Sequence, residues 1–313
     1  MRTAAYIAKR LLAGLVTVLA VATVCFVVLH ALPGDPTDTI LGETATADDR
    51  LALRRALRLD RPLAEQYVEY LRDLATPSRG MGRSFRHPER TAFESIARVW
   101  LSTVSLALTA AVFAWLLAIP LALLAATRPR SRTDATVGVV SMLGLAVPSL
   151  WLGPMLVVLL CVWLPVLPFP GPDAHGVAAL VLPALSLGFG MAGILTRMAR
   201  GSLRDVLGEP YILAARARGL SEPVVLVRHA LRSAMVPLLT TGGAQLAALL
   251  GGALVTEKIF DRPGLGTLLL ESLSQRDLPV VLASVVVMGA TAVFVQLLVD
   301  LAYVLADPRI RLE

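Results

Sequence analysis

Long apolar runs separated by shorter polar segments dominate the chain. A bilayer core of about 30 Å needs around 20 apolar residues in a helix that rises 1.5 Å per residue. Six stretches reach that length, approximately 11–32, 101–126, 137–164, 177–198, 237–256 and 280–305. The pattern predicts an all-α membrane protein with six transmembrane helices.

Several prolines fall inside these runs, namely Pro120, Pro148, Pro154 and Pro183. Proline removes a backbone hydrogen bond, so we expect kinks that neighbouring helices satisfy. The start of the chain, with basic residues to Arg10 and then an apolar run to Leu32, has the charge layout of a signal peptide. That run is too long for a signal peptide and no small-x-small site closes it, so we predict a retained first span.

Composition supports a membrane location, since 56% of the 313 residues are hydrophobic and 17% are charged. The net charge of +6 does not indicate nucleic acid, because the arginines are spread over several segments without interleaved aromatics. Cys25 and Cys161 lie in apolar runs and are interpreted as small buried hydrophobic residues, not as a disulfide or a metal pair.

Basic residues predict the orientation, because short cytoplasmic loops are enriched in lysine and arginine. Fifteen of them flank the first span, separate spans two and three, separate spans four and five, or follow the sixth span. The loop at 165–176 has none, and the loop at 257–279 has three against four acidic residues. Both termini are therefore predicted to be cytoplasmic.

The segment 33–98 has eleven basic and eleven acidic residues and is predicted to form a small helical cap outside the cell membrane. Thr46 and Asp49 form a capping-box pattern before one helix, and Pro62 opens a second one. The predicted domains are residues 1–32, with the N-terminus and first span, the cap at 33–98, and a five-helix core at 99–313.

The segment between spans four and five, at about 199–236, is too long and too structured for a simple connector. Residues 203–218 favour a helix, Gly219 suits the left-handed position that ends it, and Ser221 suits the N-cap of a second helix running toward Pro237. We expect two short cytoplasmic helices with five exposed basic side chains, Arg216, Arg218, Arg228, His229 and Arg232. From the residues alone, docking to a protein partner and resting on anionic lipid headgroups both remain open.

The run YILAARARGLS at 211–221, followed by RHALR at 228–232 and Pro237, resembles the EAA loop of permease subunits of bacterial peptide and nickel ATP-binding cassette (ABC) importers. Other segments resemble the same family in the same order along nearly the whole chain. They are LPGDP at 32–36, LRLDRP at 57–62, VPSLWLG at 147–153, LPAL at 182–185, and the segments 251–266 and 300–311. The resemblance implies a MetI-like type I importer permease in a bacterial inner membrane.

The same resemblance implies partners: a second similar permease, two cytoplasmic ATPase subunits that use ATP and magnesium, and an extracytoplasmic solute-binding protein. In the family the EAA loop docks in a cleft of the ATPase. That role carries over to five residues, Ala214, Ala215, Arg218, Gly219 and Ser221. One position departs from the family name, because Leu213 stands where the glutamate of the EAA motif is expected, so no ion pair is assumed there.

Catalytic chemistry is not expected in the chain. A phosphate-binding loop ends in Gly-Lys-Ser/Thr, and neither Lys9 nor Lys258 follows a glycine. The four histidines lie in different segments and do not form a zinc site or a serine–histidine pair, which argues against a membrane protease. The chain is thus predicted to be a transporter subunit with no cofactor or metal of its own.

Few polar residues lie in the apolar runs. Gln245, Gly251, Gly252 and Thr256 are candidates for the pathway lining, although helix packing explains the glycines equally well. Glu257, at the outer end of span five, is a candidate external gate. Asp300, in the sixth span, is expected to pair with a basic residue at the cytoplasmic face.

The resemblance implies a dipeptide or oligopeptide as the solute, which fits a mostly neutral predicted passage. Nickel or a metal chelate is the alternative for the same architecture, although histidine, cysteine and carboxylate ligands do not cluster. A stand-alone channel or a membrane scaffold is the alternative of another class, and it would act without ATP.

Overall fold

The structure, a computed structural model, describes residues 2–31, 34–42, 45–76, 79–171, 176, 178–251 and 253–306, with the backbone alone at 2–7, 39 and 303–306. The regular elements of this part of the chain are helices. They are α1 (Arg2–Ala31), α2 (Pro36–Leu41), α3 (Ala47–Ala56), α4 (Leu63–Ala75), α5 (Ala92–Thr127), α6 (Arg132–Ala146), α7 (Ser149–Val157), α8 (Ala178–Leu207), α9 (Pro210–Ala217), α10 (Glu222–Val224), α11 (Leu231–Leu250), α12 (Leu254–Ile259), α13 (Leu265–Ser274) and α14 (Leu278–Ala306). Two π-helical segments, Val158–Trp163 and Val225–Ala230, continue α7 and α10.

The predicted all-α architecture with six spans is confirmed, with one change. Five helical stretches are long and apolar enough to cross a membrane: Ala8–Ala31, Ala92–Thr127, Ala178–Leu207, Glu222–Leu250 and Leu278–Ala302. The sixth candidate is a pair of helices, Arg132–Ala146 and Ser149–Trp163, bent by 101°. The kink expected at Pro148 in the third span at 137–164 is thus a sharp bend between two separate helices.

The bend has a local cause at Val147 and Pro148. A residue before proline is pushed out of the α region, and Val147 has an extended conformation with ψ of 113°. Pro148 then serves as the N-cap position of α7 without a side-chain hydrogen bond. Pro120, Pro154, Pro183 and Pro237 lie inside helices that continue through them.

The predicted separate segment at 199–236 is mostly an extension of two spans. α8 continues to Leu207 instead of ending at Met198, and the fifth span begins at Glu222 instead of Pro237. Its predicted outer end at Thr256 is also wrong, because Gly251 caps α11 and α12 is a separate helix. Only α9 and its flanking turns remain between the fourth and fifth spans.

The described helices divide into two compact units. The first unit comprises the described residues within 1–9, 104–262 and 294–313, and the second those within 10–103 and 263–293. In the first unit α6 and α8 cross at glycines: a Cβ added at Gly144 would lie 2.8 Å from Phe189 O, and one at Gly193 would lie 2.6 Å from Ser141 O. Small residues thus allow close backbone approach, as is common in membrane helices.

The second unit contains the cap helices α2, α3 and α4 together with most of α1. The predicted capping box is present, since the Thr46 hydroxyl and the Asp49 carboxylate each bond the other residue's backbone N–H. Hydrogen bonding by Thr46 lowers the pKa of Asp49. α4 packs on α1 through a hydrogen bond of 2.7 Å between Tyr67 OH and Thr23 Oγ1. Whether this cap is extracytoplasmic stays a prediction.

Candidate functional site

The candidate coupling segment is α9 with the turns on either side of it. Pro210 opens α9, where its fixed φ suits the first helical turn. Ile212 and Ala215 point inward and are 0% and 7% exposed. They join a buried cluster with Leu203 of α8 and with Val225 and Ala230 of the following helix. The inward face of α9 is therefore seated on the ends of the fourth and fifth spans.

A left-handed glycine ends α9, as the sequence predicted. Gly219 has φ of +80°, which costs a residue with a side chain about 1–2 kcal/mol. Its N–H donates to Arg216 O at 2.9 Å, and the Leu220 N–H donates to Ala215 O at 3.4 Å. This pair of bonds is the Schellman arrangement, which satisfies the last carbonyls of the helix.

The chain then enters the fifth span without a further loop. Ser221 has the N-cap conformation that was predicted, but its side chain makes no cap hydrogen bond. Across the glycine turn, Arg216 Nε and Nη2 donate to the two carboxylate oxygens of Glu222 at 2.8 and 3.3 Å. Tyr211 OH donates to Ser233 Oγ at 2.8 Å and fixes the start of α9 to α11. Side-chain contacts thus fix both the start and the end of α9 to the fifth span.

The coupling segment and the start of the fifth span expose both apolar and basic side chains. Leu213 and Val227 are 57% and 58% exposed, and Tyr211, Leu220 and Val224 are also exposed. Arg216, Arg218, Arg228 and Arg232 are exposed as expected, whereas His229 is half-buried. We call the five apolar residues together with these four arginines the α9 face. Large apolar side chains in an exposed group of this kind are typical of interaction surfaces.

The predicted docking residues do not all lie on this surface. Ala214, Arg218, Gly219 and Ser221 are exposed, while Ala215 is buried in the cluster beneath α9. Ala215 can therefore affect docking only by seating the helix. Leu213, which departs from the family motif, is instead a prominent exposed residue of the α9 face.

An ion-pair cluster that the sequence analysis did not identify joins α6 to the extension of α8. The Asp134 carboxylate lies 2.6 Å from Arg200 Nε and 2.5 Å from Arg204 Nη2, and its side chain is only 8% exposed. It also accepts a hydrogen bond from the Arg130 backbone N–H at 3.1 Å. The available signal was the pattern Ser131-x-x-Asp134 before an apolar run, in which Ser131 Oγ accepts from the Asp134 N–H.

The candidate lining residues differ in accessibility. Gln245 is half-buried, Gly251 is exposed at the end of α11, Thr256 is 1% exposed, and Gly252 lies outside the described residues. Other glycines of α11 serve packing, because a Cβ at Gly242 would meet Trp115 Cζ2 at 2.5 Å and one at Gly243 would meet Val299 Cγ2 at 2.1 Å. Lining of a pathway by Gln245, Gly251 and Thr256 stays a prediction.

The two singled-out carboxylates are buried. Glu257, the candidate gate, is 0% exposed and lies near Arg262. Burial lowers the pKa of the Arg262 guanidinium, and the charge of Glu257 offsets only part of this effect. Arg262 Nη2 also donates to Ser105 Oγ at 3.3 Å. Asp300 is 3% exposed and accepts a hydrogen bond of 3.4 Å from Gln296 Nε2. The terminal motif after Ala306 lies outside the described residues.

Metal-binding side chains do not gather in the described residues, where no group of three or more histidine, cysteine, aspartate or glutamate side chains could hold an ion. The candidate site consists of exposed apolar and basic side chains, and its docking role stays a prediction. Cys161 is buried, Cys25 is half-buried, and both are free thiols.

Two family profiles and several full-length relatives match this chain. The family profile "Binding-protein-dependent transport system inner membrane component" matches residues 118–312, and the corresponding N-terminal profile matches residues 3–107. The chain is 38% identical over 307 residues to the glutathione transport system permease protein GsiC of Salmonella choleraesuis strain SC-B67, covering 98% of each chain. It is 35% identical over 306 residues to GsiC of Escherichia coli O6:H1, again with 98% coverage of both.

A solved structure shows the same fold. A chain of the MetNI methionine ABC transporter, described in inward-facing conformations, superposes with a TM-score of 0.56 at 19% identity. The match covers 68% of this chain and 96% of that one.

Proposed function

This chain belongs to the family of binding-protein-dependent transport system inner membrane components, and we propose that it forms half of a translocation pore for dipeptides or oligopeptides. Membership makes it a permease subunit of an ABC importer and not an enzyme, crossing the inner membrane several times. It also implies ATPase and solute-binding-protein partners. We also propose that the chain pairs with one similar permease, two ATPase subunits and one external binding protein. In this proposal both termini are cytoplasmic, and the partner subunits use ATP and magnesium.

The observation that carries the coupling proposal is the α9 face between two helices that continue into the membrane. The inner side of α9 packs on Leu203 of α8 and Val225 of the fifth span. Its outer side presents Leu213 at 57% exposure beside arginines. An ATPase subunit that buries this face gains apolar contact area, at about 25 cal/mol per Å². A push on α9 then reaches both spans directly.

The glutathione permeases among the relatives support a peptide-like solute. GsiC proteins that match over nearly their entire length are glutathione permeases, and glutathione is a small peptide with several charged groups. We propose a short peptide of this general class as the solute of the present chain. The half-buried Gln245 of α11 suits a passage that offers neutral hydrogen-bonding groups to a peptide backbone.

The test of coupling uses the assembled transporter reconstituted in vesicles, with its binding protein and a radiolabelled dipeptide. Ala214→Trp adds a large side chain on the exposed outer side of α9 and should reduce ATP-dependent uptake at least tenfold by obstructing docking. Ala135→Trp is the matched control, because Ala135 is also an exposed alanine and lies on α6. That variant should retain uptake close to the unmodified level.

Two results would contradict the proposal. Equal uptake by Ala214→Trp and Ala135→Trp would exclude α9 as the docking element. Solute entry that is the same with and without hydrolysable ATP would indicate a channel, the alternative class. Co-purification of the ATPase with each variant separates a docking defect from a later defect in transport.

A further inference from the structure

A cavity of about 620 Å³ lies within the second unit. Its walls come from the end of α1, the connection between α3 and α4, α4 itself, the segment 79–91 and the first residues of α14. Small-molecule sites in proteins commonly have volumes of roughly 300–1,000 Å³. The cavity is therefore large enough for a peptide of two or three residues.

One part of the wall is apolar and aromatic. Phe26 of α1 stacks on Tyr70 of α4, with ring centroids 5.6 Å apart and planes inclined by 19°. Leu57, Leu278 and Leu282 also belong to this part of the wall. Such a surface suits an apolar side chain of a ligand.

The rest of the wall carries both signs of charge, arranged as ion pairs. Arg58 pairs with Glu69, and Arg79 pairs with Asp73 at 3.0 Å. The arginine side chains are 56% and 52% exposed, whereas the carboxylates are 25% and 24% exposed. Ion pairs of this exposure contribute little energy, so the arginines and carboxylates can exchange their partners for the charged ends of a ligand.

A third arginine on the cavity wall has no carboxylate partner within the part of the chain that the structure describes. Arg83 donates from Nη1 to Pro88 O at 3.3 Å and is otherwise exposed. A guanidinium group binds a carboxylate through two parallel hydrogen bonds. Arg83 is therefore the natural partner of a ligand carboxylate.

A buried hydroxyl on the same wall also lacks a partner. Among the described residues, no hydrogen-bonding group reaches Tyr70 OH, although that oxygen is shielded from solvent. Burial raises the pKa of Tyr70, so the hydroxyl keeps its proton and can donate. Buried polar groups normally have partners, so this hydroxyl, at the end of a ring that lines the cavity, is a candidate for contact with a ligand.

The segment that carries Arg83 is held in place. Ser84 Oγ and the Phe85 N–H both donate to the buried Asp277 carboxylate, the latter at 2.9 Å. Ser84 Oγ accepts from the His87 N–H at 2.9 Å. A cavity wall fixed in this way loses little conformational entropy when a ligand binds.

We propose that this cavity binds a small amphipathic zwitterion, namely a short peptide with a free carboxylate and a free ammonium group. The carboxylate pairs with Arg83, the ammonium group pairs with Asp73 or Glu69, and an apolar side chain packs against Phe26 and Tyr70. A small rotation of the Tyr70 ring brings its shielded hydroxyl to the cavity, where it donates to a peptide carbonyl. The inference rests on the proposed import of peptides and adds a peptide site formed by the cap segments and the ends of α1 and α14.

The test measures binding of radiolabelled alanyl-phenylalanine to the assembled transporter in lipid nanodiscs, without binding protein and without ATP. We expect saturable binding that falls at least tenfold when the peptide is N-acetylated or C-amidated. Arg83→Gln should weaken binding of the free dipeptide at least tenfold but leave the weak binding of the amide unchanged. Tyr70→Phe should weaken binding of the free dipeptide about threefold or more.

Matched controls lie next to the cavity but not on its wall. Arg72→Gln changes an exposed arginine of α4, and Tyr67→Phe removes a hydroxyl that bonds Thr23. Both should bind the dipeptide like the unmodified transporter. Absent binding, equal binding of the blocked peptides, or equal effects of the cavity and control variants would each overturn the inference.

Failure here is distinguishable from failure of the proposed function. ATP-dependent uptake of the same dipeptide in vesicles, with normal sensitivity to Ala214→Trp, would leave peptide import intact while absent binding in nanodiscs removes the cavity site. Loss of ATP dependence in the unmodified transporter would instead contradict the proposed function.

Discussion

Two neighbouring alanines show how differently single positions of α9 contribute. Ala214 is exposed, and Ala215 is 7% exposed among residues of α8 and the fifth span. The sequence could not separate them, because alanine carries no amphipathic signal and both fit a helix equally well. The glycine turn, in contrast, was predictable, since the left-handed conformation that Gly219 adopts is a local property.

We expect Ala215→Leu to lower the free energy of unfolding by about 1–3 kcal/mol, because added methylene groups overpack a filled core. Ala214→Leu should change it by less than about 0.5 kcal/mol, as is usual for surface sites. Unfolding of the purified chain in mixed detergent micelles, followed by circular dichroism, measures both. Equal destabilisation by the two variants would contradict the placement of Ala215 in the core.

Two glycines with open space around them provide a second comparison. Gly219 and Gly201 have nothing within 4 Å of an added Cβ, but only Gly219 has a positive φ. Gly219→Ala should therefore lower the free energy of unfolding by about 1 kcal/mol. Gly201→Ala, inside α8, should leave that free energy unchanged or raise it by up to about 1 kcal/mol. The same unfolding measurement applies, and stabilisation by Gly219→Ala would argue against the left-handed turn.

At the scale of helices, apolar length predicted where spans exist but not how they bend or meet. Pro148 was expected to kink the third span, yet the angle of 101° depends on the conformation that Val147 adopts. The contact between Gly144 and Gly193 joins residues far apart in sequence, so no local pattern reveals it. The extents of the fourth and fifth spans were misjudged because polar helix continues beyond the apolar run.

The crossing of α6 and α8 gives a prediction with an internal control. Gly144→Ala places a Cβ 2.8 Å from a backbone oxygen of α8, so it should lower the free energy of unfolding by about 1–3 kcal/mol. Gly138→Ala, on the same helix with nothing within 4 Å, should be neutral or slightly stabilising. Thermal unfolding of both variants in detergent checks the pair, and similar midpoints would contradict the close crossing.

The carboxylate of Asp134 joins α6 to Arg200 and Arg204 on the extension of α8. Asp134→Asn removes the charge that two arginines share, and hydrogen bonds to charged groups contribute about 1.5–3 kcal/mol. We expect faster amide hydrogen exchange at the start of α6 and weaker ATP-dependent uptake. Asp205→Asn, at an exposed site on α8, should change neither, and an equal effect of both would exclude a specific role for the cluster.

For the whole molecule, the family and the span architecture were accessible from sequence, because many weak motifs in one order are jointly specific. The side of the membrane on which each segment lies still rests on the distribution of arginines. In a variant without Cys25 and Cys161, we expect Glu65→Cys to react with an impermeant maleimide from outside. Arg132→Cys should react only after permeabilisation. The reverse pattern would place the coupling segment outside and end the proposed mechanism.

The unbroken helix from Glu222 to Leu250, with 29 residues, has a mechanical consequence. At 1.5 Å per residue it is a rod of roughly 43 Å, so a tilt of about 10° at its base would swing the far tip by about 7 Å. The π-helical turns at Val225–Ala230 lie near that base. Such turns are frequent at functional sites, so they are a suitable pivot for the tilt. A small movement of α9 would thus be amplified along the fifth span into a displacement comparable to the width of a peptide.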